Sequence, residues 1–287
     1  MRECGLYAAT GFQGSGKSRE TTEMAIEYVT GDAARGVPPR SVLILDFNNE
    51  YGAVETSRGI VYIKTLRKDQ VNAFALSPHK EIRRIIPWHN GKKYDFEEMH
   101  KMVNYVFTQY VGGALILEDL SGYYGDHLPD KFVASLINLR HKNIDTIIHF
   151  QTTARFVPKL RGNLKYCRFH WQSDNVSAEK VSNYELYRIA QNIVNHQYYH
   201  GIDPRTGQQT GNPFYYVYIY QYINKIKGDF TKRQFIEACY DFITQHPKTT
   251  TTFEKQRDLN GKKKYTYGEC VEMVIMDFLK KYYGNDS

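Results

Sequence analysis

Residues 11–18 read Gly-Phe-Gln-Gly-Ser-Gly-Lys-Ser, filling every fixed position of the pattern Gly, four free residues, Gly-Lys-Ser/Thr. That spacing turns a run of backbone N–H groups inward around a phosphate chain. Gly11, Gly14, Ser15 and Gly16 form the cradle. Lys17 is placed to reach the β- and γ-phosphates, and Ser18 to ligate Mg²⁺. The implied cofactors are therefore ATP and Mg²⁺. The apolar run 6–9 before the loop suits a strand, and 18–29 after it suits a helix aiming the positive end of its dipole at the phosphates.

Other residue types fit beside such a loop. Leu115-Ile116-Leu117 runs into Glu118-Asp119, the apolar strand and acid pair of a Walker B element. One carboxylate orients the metal shell and the next prepares the attacking water. Here the usual Asp-Glu order is reversed. Glu118 takes the metal position, through water, and Asp119 the water-activating one. Asp46 and Glu50 follow another apolar run, 42–45, and are expected near the γ-phosphate, with Glu50 an alternative base. Gln151 ends the run 146–150, where a neutral amide can hydrogen-bond the γ-phosphate or the water. Arg140 precedes that run, and an arginine there can complete a neighbouring subunit's site. The expected catalytic set is Lys17, Asp119, Glu118, Glu50, Gln151 and Arg140.

Alternating strand-like and helical patterns must position these groups. Strands are expected at 42–45, 60–63, 114–117, 146–150 and 166–171, and helices at 95–110 and 130–140. Asp95 and Glu98 form a capping box for the first of those helices. Residues 64–93 read as an irregular excursion with a short strand at 82–86. Beyond Asn175 the pattern changes to a helix at 178–196, a Tyr-rich strand within 213–223, and helices at 231–244 and from Thr266, with a polar tether at 245–266. The expected fold is α/β: a P-loop NTPase core, residues 1–175, with a mostly parallel central sheet flanked by helices. A smaller α+β C-terminal extension occupies 176–287.

The chain has 287 residues and a formal net charge of +7, which suits a polyanionic partner such as DNA. The Cys residues at 4, 167, 239 and 270 form no close pair, which suits a reducing compartment. There is no run of 18 apolar residues and no room for a signal peptide before the first strand, so a cytoplasmic location without a membrane segment is expected. His196 and His200 lack the Glu between them that a zinc motif requires. Arg155, Lys159 and Arg161, and separately 262–264, suit either a DNA surface or solvated charge. The 24 tyrosines have no evident cause.

Taken together, the phosphate loop, Asp46-Phe-Asn-Asn-Glu50-Tyr51, Glu118-Asp119 and 147–152 resemble the FtsK–HerA branch of P-loop ATPases. Asn163, Arg168-Phe169 and the position of Arg140 add to the likeness, which covers about residues 1–175. The chain's modest size is similar to that of viral genome-packaging ATPases. The resemblance implies an ATP-hydrolysing DNA motor, converting ATP and water to ADP and phosphate. It implies a homo-oligomeric ring, a hexamer favoured, with Arg140 reaching across the interface. DNA and a capsid or portal-vertex protein are the implied partners, and the host cytoplasm or the virion the location. Arg140-His141-Lys-Asn-Ile-Asp145 also resembles the zonula-occludens-toxin-like proteins of the same superfamily, which implies a phage assembly or extrusion ATPase instead. A nucleotide-switched assembly protein is the non-motor alternative.

Overall fold

The computed structural model describes residues 4–89, 91–119 and 129–285. The chain divides into two compact units, Met1–Lys165 and Tyr166–Ser287.

In the first unit, β1 (Leu6–Thr10) leads through the phosphate loop into α1 (Lys17–Thr30), and β2 (Val42–Leu45) follows. A hairpin of β3 (Ala53–Thr56) and β4 (Gly59–Tyr62) comes next, then α2 (Val71–Leu76) and β5 (Ile82–Ile85). A two-residue ribbon, β6 (Trp88–His89) and β7 (Lys92–Lys93), precedes α3 (Phe96–Gln109). Then come β8 (Ala114–Leu117), α4 (Asp130–Asn138) and β9 (Asp145–Phe150). The sheet order is β1-β9-β8-β2-β5, and every pairing in it is parallel.

Such strands are covered on both faces, so they read as continuous apolar runs. Every residue of β1, β2, β8 and β9 is buried. Burying each aliphatic side chain stabilises the sheet by about 1.5–3 kcal/mol. α3 adds a buried stripe of Met99, Met102, Val103, Val106 and Phe107, and its start is fixed by the reciprocal Asp95–Glu98 capping box.

Two expectations for this unit are corrected. The strand expected at 60–63 lies in the separate β3–β4 hairpin. That hairpin is tied to α1 where Glu23 accepts from the Ser57 backbone N–H and hydroxyl. The short strand in the excursion is β5, a full member of the parallel sheet beside β2. It sits at the sheet edge and is only partly buried, so it needs no unbroken apolar run, and Arg83 and Arg84 occupy its middle.

The second unit holds β10 (Leu164–His170, beginning just before the boundary), β11 (Tyr216–Tyr220) and β12 (Lys225–Gly228), paired antiparallel. Its long helices are α5 (Tyr184–His200), α6 (Lys232–Gln245) and α7 (Tyr267–Tyr282). The helix expected from 178 begins six residues later, because the Asn183 side chain caps it by accepting from the Leu186 N–H. The expected tether contains two helical turns, Pro247–Thr250 and Thr251–Glu254, with Thr250 buried. Tyr216, Tyr218 and Tyr220 alternate with buried Val217 and Ile219 along β11. That period of two gives part of the tyrosine surplus a place on one sheet face.

One polar knot ties the first unit at the end of the sheet where β9 begins. The fully buried Asp145 carboxylate accepts from the Gly5 N–H, the Tyr7 hydroxyl and the Arg40 guanidinium, the last at 2.7 Å. Arg40 also donates to the carbonyls of Gly113 and Asn143. Removing one partner of a buried pair leaves the other charge uncompensated. Arg40→Ala is expected to cost about 3–5 kcal/mol, read from the shift in urea unfolding midpoint at unchanged slope.

Candidate active site

The phosphate loop leaves β1 at the carboxyl end of the sheet, where the Gly11 N–H donates to the Phe150 carbonyl at 3.2 Å. Gly14 and Gly16 are left-handed, with φ of 81° and 85°. No neighbour crowds a Cβ at Gly14, so glycine is required there by conformation and not by space. Gly16 is the N-cap of α1, which points the first helical N–H groups into the loop. Lys17 is nearly buried and its ammonium donates to the carbonyls of Gly11 (2.6 Å) and Phe12 (3.0 Å), so it lies across the mouth of the loop.

The parallel register brings the polar residues together. Leu45 pairs with Leu117, Leu117 with Ile148, and Thr10 with Phe150. Asp46, Glu118 and Gln151 therefore follow the ends of neighbouring strands, and His149 is the penultimate residue of β9. Asp46 is fully buried, and its carboxylate accepts from the N–H groups of Glu50 and Tyr51 and from Arg84 at 2.6 Å. Arg84 also bonds the side chain of Asn49, whose backbone is left-handed. Asp46 thus organises the turn that presents Glu50, and its carboxylate is engaged with protein groups.

Glu118 lies 2.9 Å from His149 Nδ1, and both side chains are buried. Burial alone would raise the Glu118 pKa. The His149 imidazole, with Lys17 and the Tyr51 hydroxyl, brings it below the ordinary carboxylate range. Asp119 follows in a left-handed conformation, φ 36°, that turns its carboxylate to the Gln151 amide, which donates at 2.6 Å. Glu50 is exposed on its turn. Partial desolvation and the nearby Glu118 carboxylate push its pKa up, Lys17 opposes this, and Asp46 and Asp119 add to the rise. These mutual effects put Glu50, Glu118, Asp119, Lys17 and Asp46 in one electrostatic cluster.

Hard oxygen donors beside a lysine suit Mg²⁺, which keeps several waters and needs only one or two protein oxygens beside the phosphates. Ser18, in the first turn of α1, and Glu118 fit that role. Among the described residues no group of three or more His, Cys, Asp or Glu is arranged to hold a metal by itself. The rings of His196 and His200 lie tilted by 58° with their centres 5.4 Å apart.

Arg140 is not brought to this cluster. It is exposed, beyond α4, and lines a small cleft with Cys4, Gly5, Thr146 and Asn163. These residues flank the beginnings of β1 and β9, at the opposite end from the phosphate loop. Arg155 and Lys159 are exposed, as are 262–264. Two contributors carry little signal in the sequence: Arg84 lies in the segment that reads as irregular, and His149 stands inside an apolar strand run with only its polarity to mark it.

The fold and loop are those of a P-loop nucleoside triphosphatase. No protein-family model matches the chain, and no curated protein matches it. Solved structures are similar to it. The genome-packaging NTPase B204 of Sulfolobus turreted icosahedral virus 2, in complex with ATP-gammaS, is 15% identical, with 79% of this chain and 97% of that one covered and a TM-score of 0.49. The N-terminal domain of zonular occludens toxin from Neisseria meningitidis is 15% identical over 60% of this chain and 79% of that one, with a TM-score of 0.35. The pCW3 conjugation coupling protein TcpA, with ATPgS, is 11% identical over 63% of this chain and 52% of that one, TM-score 0.33. Among the described residues no helix is long and apolar enough to cross a membrane.

The raised Glu50 pKa has a consequence for stability. A carboxyl group whose pKa rises on folding binds protons more tightly in the folded state, so its contribution is fully present below the unfolded value and lost as pH rises through the folded one. At pH 7 the ionised Glu50 opposes folding. Glu50→Gln is expected to raise Tm at pH 7, with the gain fading as pH falls towards about 4.3, the ordinary glutamate value. Thermal melts of both proteins across that range, without nucleotide, check it.

Proposed function

We propose that the chain is an ATP-hydrolysing DNA motor working as a homo-oligomeric ring, most simply one that packages a viral genome. The observation that carries the ATPase reading is the convergence of the phosphate loop, Glu118, Asp119, Gln151 and Glu50 at the carboxyl ends of adjacent parallel strands. Ligands of open α/β sheets bind at that edge.

In this reading Lys17 leaves the Gly11 and Phe12 carbonyls for the γ-phosphate, and the loop N–H groups hold the β-phosphate. Ser18, and Glu118 through water, would hold Mg²⁺, which when bound neutralises charge on the β- and γ-phosphate oxygens. Asp119 takes the proton of the attacking water, giving ADP and phosphate. Gln151, bonded to Asp119 and adjacent to the strand pair that leads into the loop, senses the state of the γ-phosphate. The raised pKa of Glu50 favours it as the alternative base, because a base works best when its pKa approaches the operating pH. Arg140, remote from its own subunit's loop, suits a role only towards a neighbour.

The DNA reading is supported by the net charge of +7 and by exposed Arg155 and Lys159 just beyond Gln151. A phage extrusion ATPase and a nucleotide-switched scaffold are the other readings. A motor is stimulated by DNA, and a scaffold turns over slowly and ignores it. Turnover measured by phosphate release should rise with DNA, and DNA binding should weaken steeply with salt as counterions are released. Turnover indifferent to DNA, with no DNA affinity at low salt, favours the scaffold.

The base is identified separately. Asp119→Asn should retain ATP binding and lose ~100-fold or more in turnover, the upper range for losing a general base. Loss of turnover in Glu50→Gln, with Asp119→Asn active, assigns the proton to Glu50.

A further inference from the structure

His149 has no part in the chemistry above, yet it is fully buried beside it. Its two ring nitrogens face two different elements of the site. Nδ1 lies 2.9 Å from Glu118 Oε2, and Nε2 lies 2.8 Å from the Thr21 hydroxyl. Thr21 is itself fully buried and stands one helical turn after Lys17 on α1. The Tyr51 ring, at the end of the turn that carries Glu50, lies 6.5 Å from the imidazole. One side chain thus joins the helix behind the phosphate loop to the first Walker B carboxylate.

This placement is costly unless it serves a purpose. A buried imidazole and a buried carboxylate both lose hydration, and an apolar pair of the same volume would often be no less stable. The parallel register explains how they meet. Leu117 pairs with Ile148, so Glu118 and His149 are the next residues on adjacent strands. The imidazole is planar and its nitrogens lie on opposite sides of the ring, so fixing Nε2 on α1 fixes the direction of Nδ1. A carboxylate with a flexible glutamate stem acquires one orientation from that contact. Carboxylates that serve a metal are commonly oriented by such a neighbour.

We propose that His149 is a positioning residue that holds the Glu118 carboxylate in place for the Mg²⁺–nucleotide and references it to α1 through Thr21. The inference rests on the ATPase reading for the purpose of Glu118, but not on DNA translocation.

Two substitutions separate the halves of the contact. In His149→Asn the side-chain amide occupies the place of Nδ1 beside Glu118, but it does not reach Thr21. In His149→Gln the amide reaches towards Thr21 and leaves no polar group in the place of Nδ1 beside Glu118. The full chain is titrated with a fluorescent ATP analogue with and without Mg²⁺, and its steady-state turnover and Tm are measured in parallel. In His149→Gln the Mg²⁺ concentration that half-saturates the binding enhancement is expected to rise ~10-fold or more, the lower end for losing a partner of a metal-serving group. Binding without Mg²⁺ should stay unchanged, and kcat should fall with KM for ATP nearly constant. His149→Asn should recover most of the Mg²⁺ dependence and kcat, even with a Tm as low as that of the Gln variant.

Equal losses in the two variants, or losses that follow Tm, overturn the proposal and make the pair a packing feature. So does an unchanged Mg²⁺ dependence in His149→Gln, or nucleotide binding by the unsubstituted protein that ignores Mg²⁺. Should either variant fail to fold, Thr21→Val supplies the test. It cuts the link to α1 but leaves the imidazole beside Glu118, so it is expected to raise the Mg²⁺ requirement in the same direction by less than His149→Gln, matching the shortfall that remains in His149→Asn, and no change there overturns the proposal. If the unsubstituted protein binds Mg²⁺–nucleotide but does not hydrolyse it, the ATPase reading fails while the binding arm still decides the role of His149.

Discussion

The parallel pairing of β1, β9, β8, β2 and β5 sets the rest of the first unit. Parallel strands all end on the same edge, and the residue after each last apolar one lands in a common row. That row holds the phosphate loop, Gln151, Glu118 with Asp119, and Asp46 with Glu50. No local preference of those residues would gather them. Asp46, Glu118 and Gln151 are each the first residue after a buried strand, and the sheet aligns the strands.

Polar groups along the row divide between protein and substrate. Asp46 is spent on its own loop and Arg84, and Glu118 is held against His149. Asp119 is buried and held by the Gln151 amide, and Glu50 is exposed with its pKa pushed up by partial desolvation and its neighbours. A site that concentrates four carboxylates beside one lysine works against its own folding. The buried pairings with Arg84 and His149 offset part of that, and the remaining repulsion is what an incoming cation and its nucleotide would relieve.

Coupling across the site follows from covalent neighbours. Gln151 is one residue past Phe150, whose carbonyl receives the Gly11 N–H, and its amide bonds Asp119. His149 lies one residue earlier on the same strand, bridging Glu118 and Thr21. His149 and Gln151 are two residues apart and so face the same side, and with the Phe150 carbonyl this one strand end touches the loop, the helix after it and both acids.

Much of this was legible in the sequence, because it is local. The phosphate loop, the apolar strand runs, the Asp95–Glu98 capping box and the acid pair all depend on residues within a few positions of one another. Tertiary pairing decided the rest. β5 looked irregular because an edge strand needs little apolar character, and its Arg84 found Asp46 only through the register with β2. His149 was hidden in an apolar run because its partners lie 31 and 128 residues away. Arg140 sits where its sequence neighbours promised, but only the direction of the strands put it at the far end of the sheet from the loop. Sequence patterns specify which residues turn, bury or cap; which of them meet is set by strand order, and that is a property of the assembled sheet.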